Sequence, residues 1–229
     1  MKHIEIVKLF QSPEEFWYQK VTVCGWVRTS SEVKTMAFIQ LNDGSVSLDN
    51  LQLTIKQDKF TQDDYINKIR PAFSIGTSLV AEGIIVPSDR NVIELEVDRL
   101  EILGMCPSNY PLQKKKTSVE FLRTIPHLRT RTNLFKAVFT TRARLAYAIH
   151  RYFSDRGYKY LHAPIITKSD CEGAGEMFRI TTQPWDGKWK DETEYFHSDY
   201  FSCKAGLAVS CQLEGEMAAL GGLGKVYTF

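Results

Sequence analysis

Between residues 21 and 103 apolar and polar positions alternate in short runs. Residues 21–27 (VTVCGWV) alternate, residues 37–41 (AFIQL) follow, and Asn42-Asp43-Gly44-Ser45 is a turn signal. Residues 51–55 (LQLTI) alternate again and place Gln52 and Thr54 on one face. The polar stretch 56–70 has room for a short helix, and residues 78–83 and 92–97 supply two further strands. After Gly104 the pattern changes. Residues 106–116 (CPSNYPLQKKK) read as a linker, and strand alternation does not return before Tyr158. Over residues 133–156, Leu134, Val138, Leu145, Ile149 and Tyr152 recur at helical spacing and form one apolar stripe, with Arg142, Arg144 and Arg151 on other faces. Gly157 is the expected helix stop, because glycine tolerates positive φ. Residues 158–166 then read as one extended segment. Pro164 within it cannot donate to a ladder, which predicts an edge or interface strand.

Five strands and one intervening helix fit a small Greek-key barrel of the OB type, and a generic β-sandwich fits the same strand count. The fold class expected is therefore a β barrel followed by an α+β region. The boundaries expected are 1–104 for the barrel, 105–132 for a linker or hinge, and 133–229 for the second region. Composition agrees with a globular chain: 43% of residues are hydrophobic and 24% charged, which argues against disorder and against fibrous or disulfide scaffolds. Residues 1–10 lack a secretory pattern and no later run is long enough to span a bilayer, so a membrane partner is not expected. The five cysteines are odd in number and none are paired at metal-ligand spacing, which favours a reducing compartment and no metal site in this chain. Twenty-nine basic against 27 acidic residues give +2, too little to mark a nucleic-acid binder by global charge. Lys114, Lys115, Lys116, Arg123, Arg129 and Arg131 are nevertheless clustered, either as phosphate contacts or as a solvated linker.

Residues 156–166 (RGYKYLHAPII) match the first class II aminoacyl-tRNA synthetase motif. With them stand Glu120-Phe-Leu-Arg123, residues 127–133 (HLRTRTN), residues 169–178 (SDCEGAGEMF), residues 210–216 (SCQLEGE) and, upstream, Gly25-Trp26-Val27-Arg28. In this order the strings resemble the asparaginyl-tRNA synthetases of class IIb over nearly the whole chain. The resemblance implies an OB-fold anticodon-binding domain, then part of a class II catalytic domain with an antiparallel sheet. It also implies ATP-dependent activation of asparagine and transfer to tRNA(Asn), and a homodimer built on the first motif with Gly157 and Pro164 at its interface; a bacterial cytoplasm is the setting expected, with an organellar copy as the alternative. No DNA partner is implied.

Site residues follow from the same resemblance. Glu172, in a lid-like loop, matches the family glutamate that holds the substrate α-amino group, a sensible role for a carboxylate. Gln212 matches a glutamine that touches the amino acid. The aspartyl enzymes carry lysine where Gly215 stands, and Glu216 matches the glutamate that accepts from the asparagine side-chain amide; a carboxylate there also repels aspartate. Taken singly, Phe38 reads as barrel core. By resemblance it stacks on the central anticodon U, Gln52 hydrogen-bonds that base, Glu96 contributes from a later strand, and Arg28 contacts a phosphate or the first base. Single-stranded bases need such a platform and such polar groups.

Two positions depart from the family: Thr130 stands where proline is usual and Cys211 where glycine is usual. The arginines that would hold ATP are expected beyond Phe229. ATP and Mg2+ are thus expected of the full-length enzyme, no catalytic residue is assigned here, and this chain alone is expected to be inactive. Two other functions fit: a non-catalytic tRNA-binding paralogue and a relaxed aspartyl-type ligase.

Overall fold

The computed structural model describes residues 2–46, 49–169, 171, 177–184 and 186–229. The chain divides into two compact units, Met1–Arg142 and Ala143–Phe229, with the division inside the long helix Asn133–Ser154.

The first unit is built on a closed barrel with strand order β1-β2-β3-β5-β4. Its strands are β1 Lys20–Val33, β2 Met36–Asn42, β3 Leu51–Lys56, β4 Ser78–Ser88 and β5 Val92–Gly104. All five expected strands are present, and each is longer than its alternating run. The extra length of β1 comes from serving two neighbours in turn: residues 20–26 pair with β4, and residues 26–33 pair with β2. Trp26 pairs with both neighbours, and a bulge between Val27 and Thr29, just past this change of partner, bends and twists the strand. At Gly83, beside a second bulge, a Cβ would overlap the Glu96 carbonyl, so this close approach of β4 and β5 requires glycine.

Strand alternation fills the barrel. Val21, Val23, Ala37, Ile39, Leu41, Leu51, Leu53, Ile55, Leu79, Ile85, Ile93, Leu95 and Val97 are buried in one cluster. Ile6 and Leu9, fully buried, join it from a helix, Ile6–Gln11, that the sequence pattern did not indicate. Glu5 offers that helix no side-chain cap. The Ile6 and Val7 amides donate instead to Asp43 Oδ2 (2.8 Å) and Ser45 Oγ (3.0 Å), from the turn after β2. The polar stretch after β3 forms several short helical turns rather than one helix, and Tyr65, Ile69 and Ala72 anchor them to the core.

In the second unit the long helix ends in a Schellman cap. Tyr158 N donates to Phe153 O (3.0 Å), Gly157 N donates to Ser154 O (2.9 Å), and Gly157 has φ +78°. The Phe153 and Tyr158 rings pack edge to face across this cap. The single extended segment expected over residues 158–166 is not formed. Lys159–Tyr160 (β6) pairs in parallel with Val226–Tyr227 (β10), whereas Ile166–Thr167 (β7) joins an antiparallel sheet with Ala205–Leu207 (β9) and Arg179–Ile180 (β8). Pro164, which has no N–H to donate, lies exposed in the break between the two sheets.

The two units differ in packing. Among the described residues of the second unit only Cys171, Phe196, Asp199, Ala205 and Gly206 are buried. Leu145 and Tyr152, on the apolar stripe of the long helix, are 59% and 54% exposed. Ile39→Ala should therefore cost about 2–5 kcal/mol of barrel stability, whereas Leu220→Ala, at a side chain 88% exposed, should stay within roughly 0.5 kcal/mol. Urea denaturation of the two variants checks this; equal losses would contradict the placement of the core.

Candidate functional site

Because alternate residues of β2, β3 and β5 point into the barrel, their neighbours form rows on the outer face. Gln40 lies opposite Gln52, and Gln52 opposite Glu94. One step along, Phe38 lies opposite Thr54, and Thr54 opposite Glu96. Phe38, Gln52 and Glu96 are thereby brought to one surface. A cleft of about 400 Å³ opens there, walled by Phe38, Gln40, Gln52 and Ser31, with Arg90 and Lys114 also lining it.

The polar groups on this face are tied down. Gln40 Nε2 donates to Gln52 Oε1 at 2.8 Å. Thr54 Oγ1 donates to Glu94 Oε2 at 2.6 Å, and Ser88 and Asn91 donate to the other Glu94 oxygen. Burial pushes the Glu94 carboxyl upward, but hydrogen bonds from Ser88, Thr54, Asn91 and Gln52 outweigh it and hold the group below the usual glutamate value. Gln52 is thus held at its carboxamide oxygen by Gln40 and lies beside Glu94 on the neighbouring strand. Glu96 is engaged differently: Lys56 Nζ sits 2.9 Å from its Oε1. Family resemblance points to Glu96 and not to Glu94, Gln40 or Asn91. Gln40 and Glu94 have the right strand parity, but the pairing of β3 with β5 is needed to put Glu94 beside Gln52.

Arg28 does not join this cleft. It sits at the β1 bulge, where its guanidinium donates to the Arg131 carbonyl and to Asn133 Oδ1 (3.0 Å). Burial lowers its pKa; Tyr110 opposes this, and the nearby Arg131 charge, the smallest of the three effects, lowers it further.

In the second unit Gln212 and Glu216 lie one turn apart on the helix Gln212–Ala218, and Gln212 Nε2 donates to Glu216 Oε1 at 3.0 Å. The Glu216 carboxylate therefore already accepts from a carboxamide. A Cβ at Gly215 would meet nothing within 4 Å, so the space beside Glu216 is open. Glu172 lies outside the described residues. Gly157 sits in the helix cap and Pro164 in the break between sheets. Among the described residues no group of three or more His, Cys, Asp or Glu could hold a metal ion.

Residues 21–103 match the OB-fold nucleic acid binding domain family, and residues 118–229 match the tRNA synthetases class II (D, K and N). The asparagine–tRNA ligase of Acetivibrio thermocellus is 42% identical over 233 aligned residues, covering 100% of this chain and 49% of the relative. That of Syntrophobacter fumaroxidans is 46% identical, covering 98% and 48%. The chain spans about half the length of the curated relatives it matches. Among solved structures, the Pyrococcus horikoshii asparaginyl-tRNA synthetase complexed with asparaginyl-adenylate superposes with TM-score 0.79 at 22% identity, over 100% of this chain and 47% of that one. A putative aspartyl-tRNA synthetase from Leishmania major superposes with TM-score 0.73 at 19% identity, over 99% and 42%. At these identities the structures establish the fold, an OB barrel with class II synthetase structure. With both halves of the sequence matched in order, the chain belongs to the class II tRNA synthetases of the D, K and N group.

Proposed function

We propose that this chain is the anticodon-reading and amino-acid-selecting portion of an asparagine–tRNA ligase, which activates asparagine with ATP and transfers it to tRNA(Asn). The observation that carries the reading is the outer face of β2, β3 and β5, where the Phe38 ring and the fixed Gln52 carboxamide share one cleft. A ring offers a sequence-tolerant stacking surface, and an oriented amide adds base discrimination. Glu94 acts as a positioning residue for Gln52, and Glu96 contributes beside Phe38. Residues 1–104 serve as the RNA-reading domain, 105–132 as the hinge, and 133–229 as part of the catalytic domain.

On the amino-acid side, Glu172, Gln212 and Glu216 take the substrate. The Glu216 carboxylate, which accepts the Gln212 amide here, would accept the asparagine amide in the same way and repel aspartate. The open space at Gly215 leaves Glu216 without a competing cation at that position. ATP and Mg2+ are assigned to no residue of this chain.

The enzyme works as a homodimer in the cytoplasm, with Gly157 and Pro164 at the interface. The exposed stripe of Leu134, Val138, Leu145 and Tyr152 supports an interface on the long helix. Among the described residues no helix is long and apolar enough to cross a membrane.

Three outcomes test the reading. The chain should bind tRNA bearing the asparagine anticodon, and changing its central U to C should weaken binding. Phe38→Ala should cost about 1–3 kcal/mol, roughly a 5- to 150-fold loss. Fluorescence anisotropy giving equal affinities for the two RNAs would refute the anticodon assignment.

The second outcome concerns Glu94, whose folded-state pKa lies below its unfolded value of about 4.3. Its stabilisation is then present above that pH and lost as pH falls through the folded value. The stability gap between wild type and Glu94→Gln should narrow as pH drops below about 4. A gap that stayed constant from neutral pH down to acid would exclude an ionised, hydrogen-bonded Glu94.

Third, Glu216→Gln in the full-length enzyme should reduce the preference for asparagine over aspartate in adenylate formation. An unaltered ratio would remove Glu216 from substrate selection.

A further inference from the structure

A second cleft in the first unit, of about 340 Å³, is lined by Arg28, Arg131 and Lys136 together with Trp26, His127 and Asn133. The cations are held in place entirely by neutral groups. Arg28 donates to the Arg131 carbonyl and to Asn133 Oδ1, Arg131 donates to Tyr110 Oη (3.2 Å), and Lys136 donates to Asn42 Oδ1 (3.3 Å). The Arg131 guanidinium also lies 4.9 Å from the centre of the Trp26 ring, and the buried Trp26 indole N–H has no hydrogen-bond acceptor among the described residues.

Among the described residues none of the three cations forms an ion pair with a carboxylate. The acidic group that acts on Lys136, Asp43, already accepts from the Ile6 amide and from Ser45. Burial lowers the pKa of Lys136, Asp43 opposes this, and Arg28 lowers it further. Three crowded, half-buried positive charges that share the field of one carboxylate, Asp43, and make no direct ion pair are costly unless an anion joins them. The cleft also lies at the first turn of the 22-residue helix Asn133–Ser154, where the helix dipole favours negative charge.

We propose that this cleft binds a backbone phosphate of the RNA whose base is read at Phe38 and Gln52. The proposal rests on the anticodon reading for the identity of that RNA. Both clefts use β1: Trp26 and Arg28 line one, and Thr29 to Ser31 line the other. The bulge at Arg28 separates them by only a few residues, on the order of 10 Å of strand. A single strand that lays a base on the Phe38 ring therefore passes a neighbouring phosphate close to Arg28, Arg131 and Lys136. The guanidinium forks suit phosphate oxygens, and Lys136 supplies a point charge. Contacts of this kind fix the register of the RNA without reading sequence.

The test measures binding of the 229-residue chain to tRNA with the asparagine anticodon, and to its variant with C at the central position, across a series of salt concentrations. Lys136→Gln and Arg131→Gln should each weaken both RNAs several-fold by the same factor, and reduce the slope of log affinity against log salt by about 1. Lys136→Arg should retain the wild-type slope. Thr140→Glu, which adds a carboxylate to the wall of the cleft and removes none of the contacts above, should weaken both RNAs, so the inference does not depend on the glutamine variants remaining folded. If wild type binds both RNAs equally while Lys136→Gln still lowers affinity and slope, the anticodon reading fails and the phosphate site stands. Affinity and slope unchanged in all three charge variants would overturn the site. Binding of inorganic phosphate that Lys136→Gln abolishes, with RNA binding unaffected, would also overturn it as an RNA contact.

Discussion

Closure of the five-stranded barrel is the constraint on which the rest of the first unit depends. Once β4 pairs with β1, each strand has one face committed to a sealed apolar interior. A one-residue slip would exchange the two faces, so the buried set fixes the register of the outer set. Ile39 and Leu41 in the core hold Phe38 and Gln40 outside, and Leu53 in the core holds Gln52 outside. The bulge at Arg28 is the one place on β1 where this alternation breaks against β2, and there the chain sends a cation away from the Phe38 surface.

Charge on the outer face is organised by local supply of hydrogen-bond donors. Glu94 and Glu96 are two residues apart on one strand face, yet one is satisfied by neutral donors and the other by Lys56. The first arrangement leaves a full negative charge to polarise and orient the Gln52 amide. The second neutralises the charge next to the stacking surface, which suits the approach of a polyanion.

The second unit relies on different physics. Its helix stop, a Schellman cap with Gly157 at positive φ, is local and complete. Its strands are two or three residues long and few of its side chains are buried. Aromatic contacts carry much of the packing: Phe153 stacks on Tyr227 at 4.7 Å, and His150 meets Tyr160 and Phe229 edge to face. His150 Nδ1 and Tyr227 Oη lie 2.7 Å apart and tie the helix to β10.

By itself the sequence determined what depends on near neighbours in the chain. Short apolar runs, two of them with clear period-two alternation, announced all five barrel strands, helical spacing announced the long helix, and Gly157 announced its end. Gln212 and Glu216 are set together in the sequence only by family resemblance; the helix that places them one turn apart is a finding of the structure. Tertiary structure decided what depends on partners far along the chain. The helix Ile6–Gln11 was illegible because Asp43 and Ser45 supply its cap and the barrel interior supplies its core. The split of residues 158–166 between two sheets was decided by β10 and β9, which lie some forty to seventy residues away. The pairing of Gln52 with Glu94 rather than Glu96, and the withdrawal of Arg28 towards Asn133, were set by strand register and a bulge. Alternation fixes which face a side chain takes, but only the pairing of strands fixes which neighbour it meets.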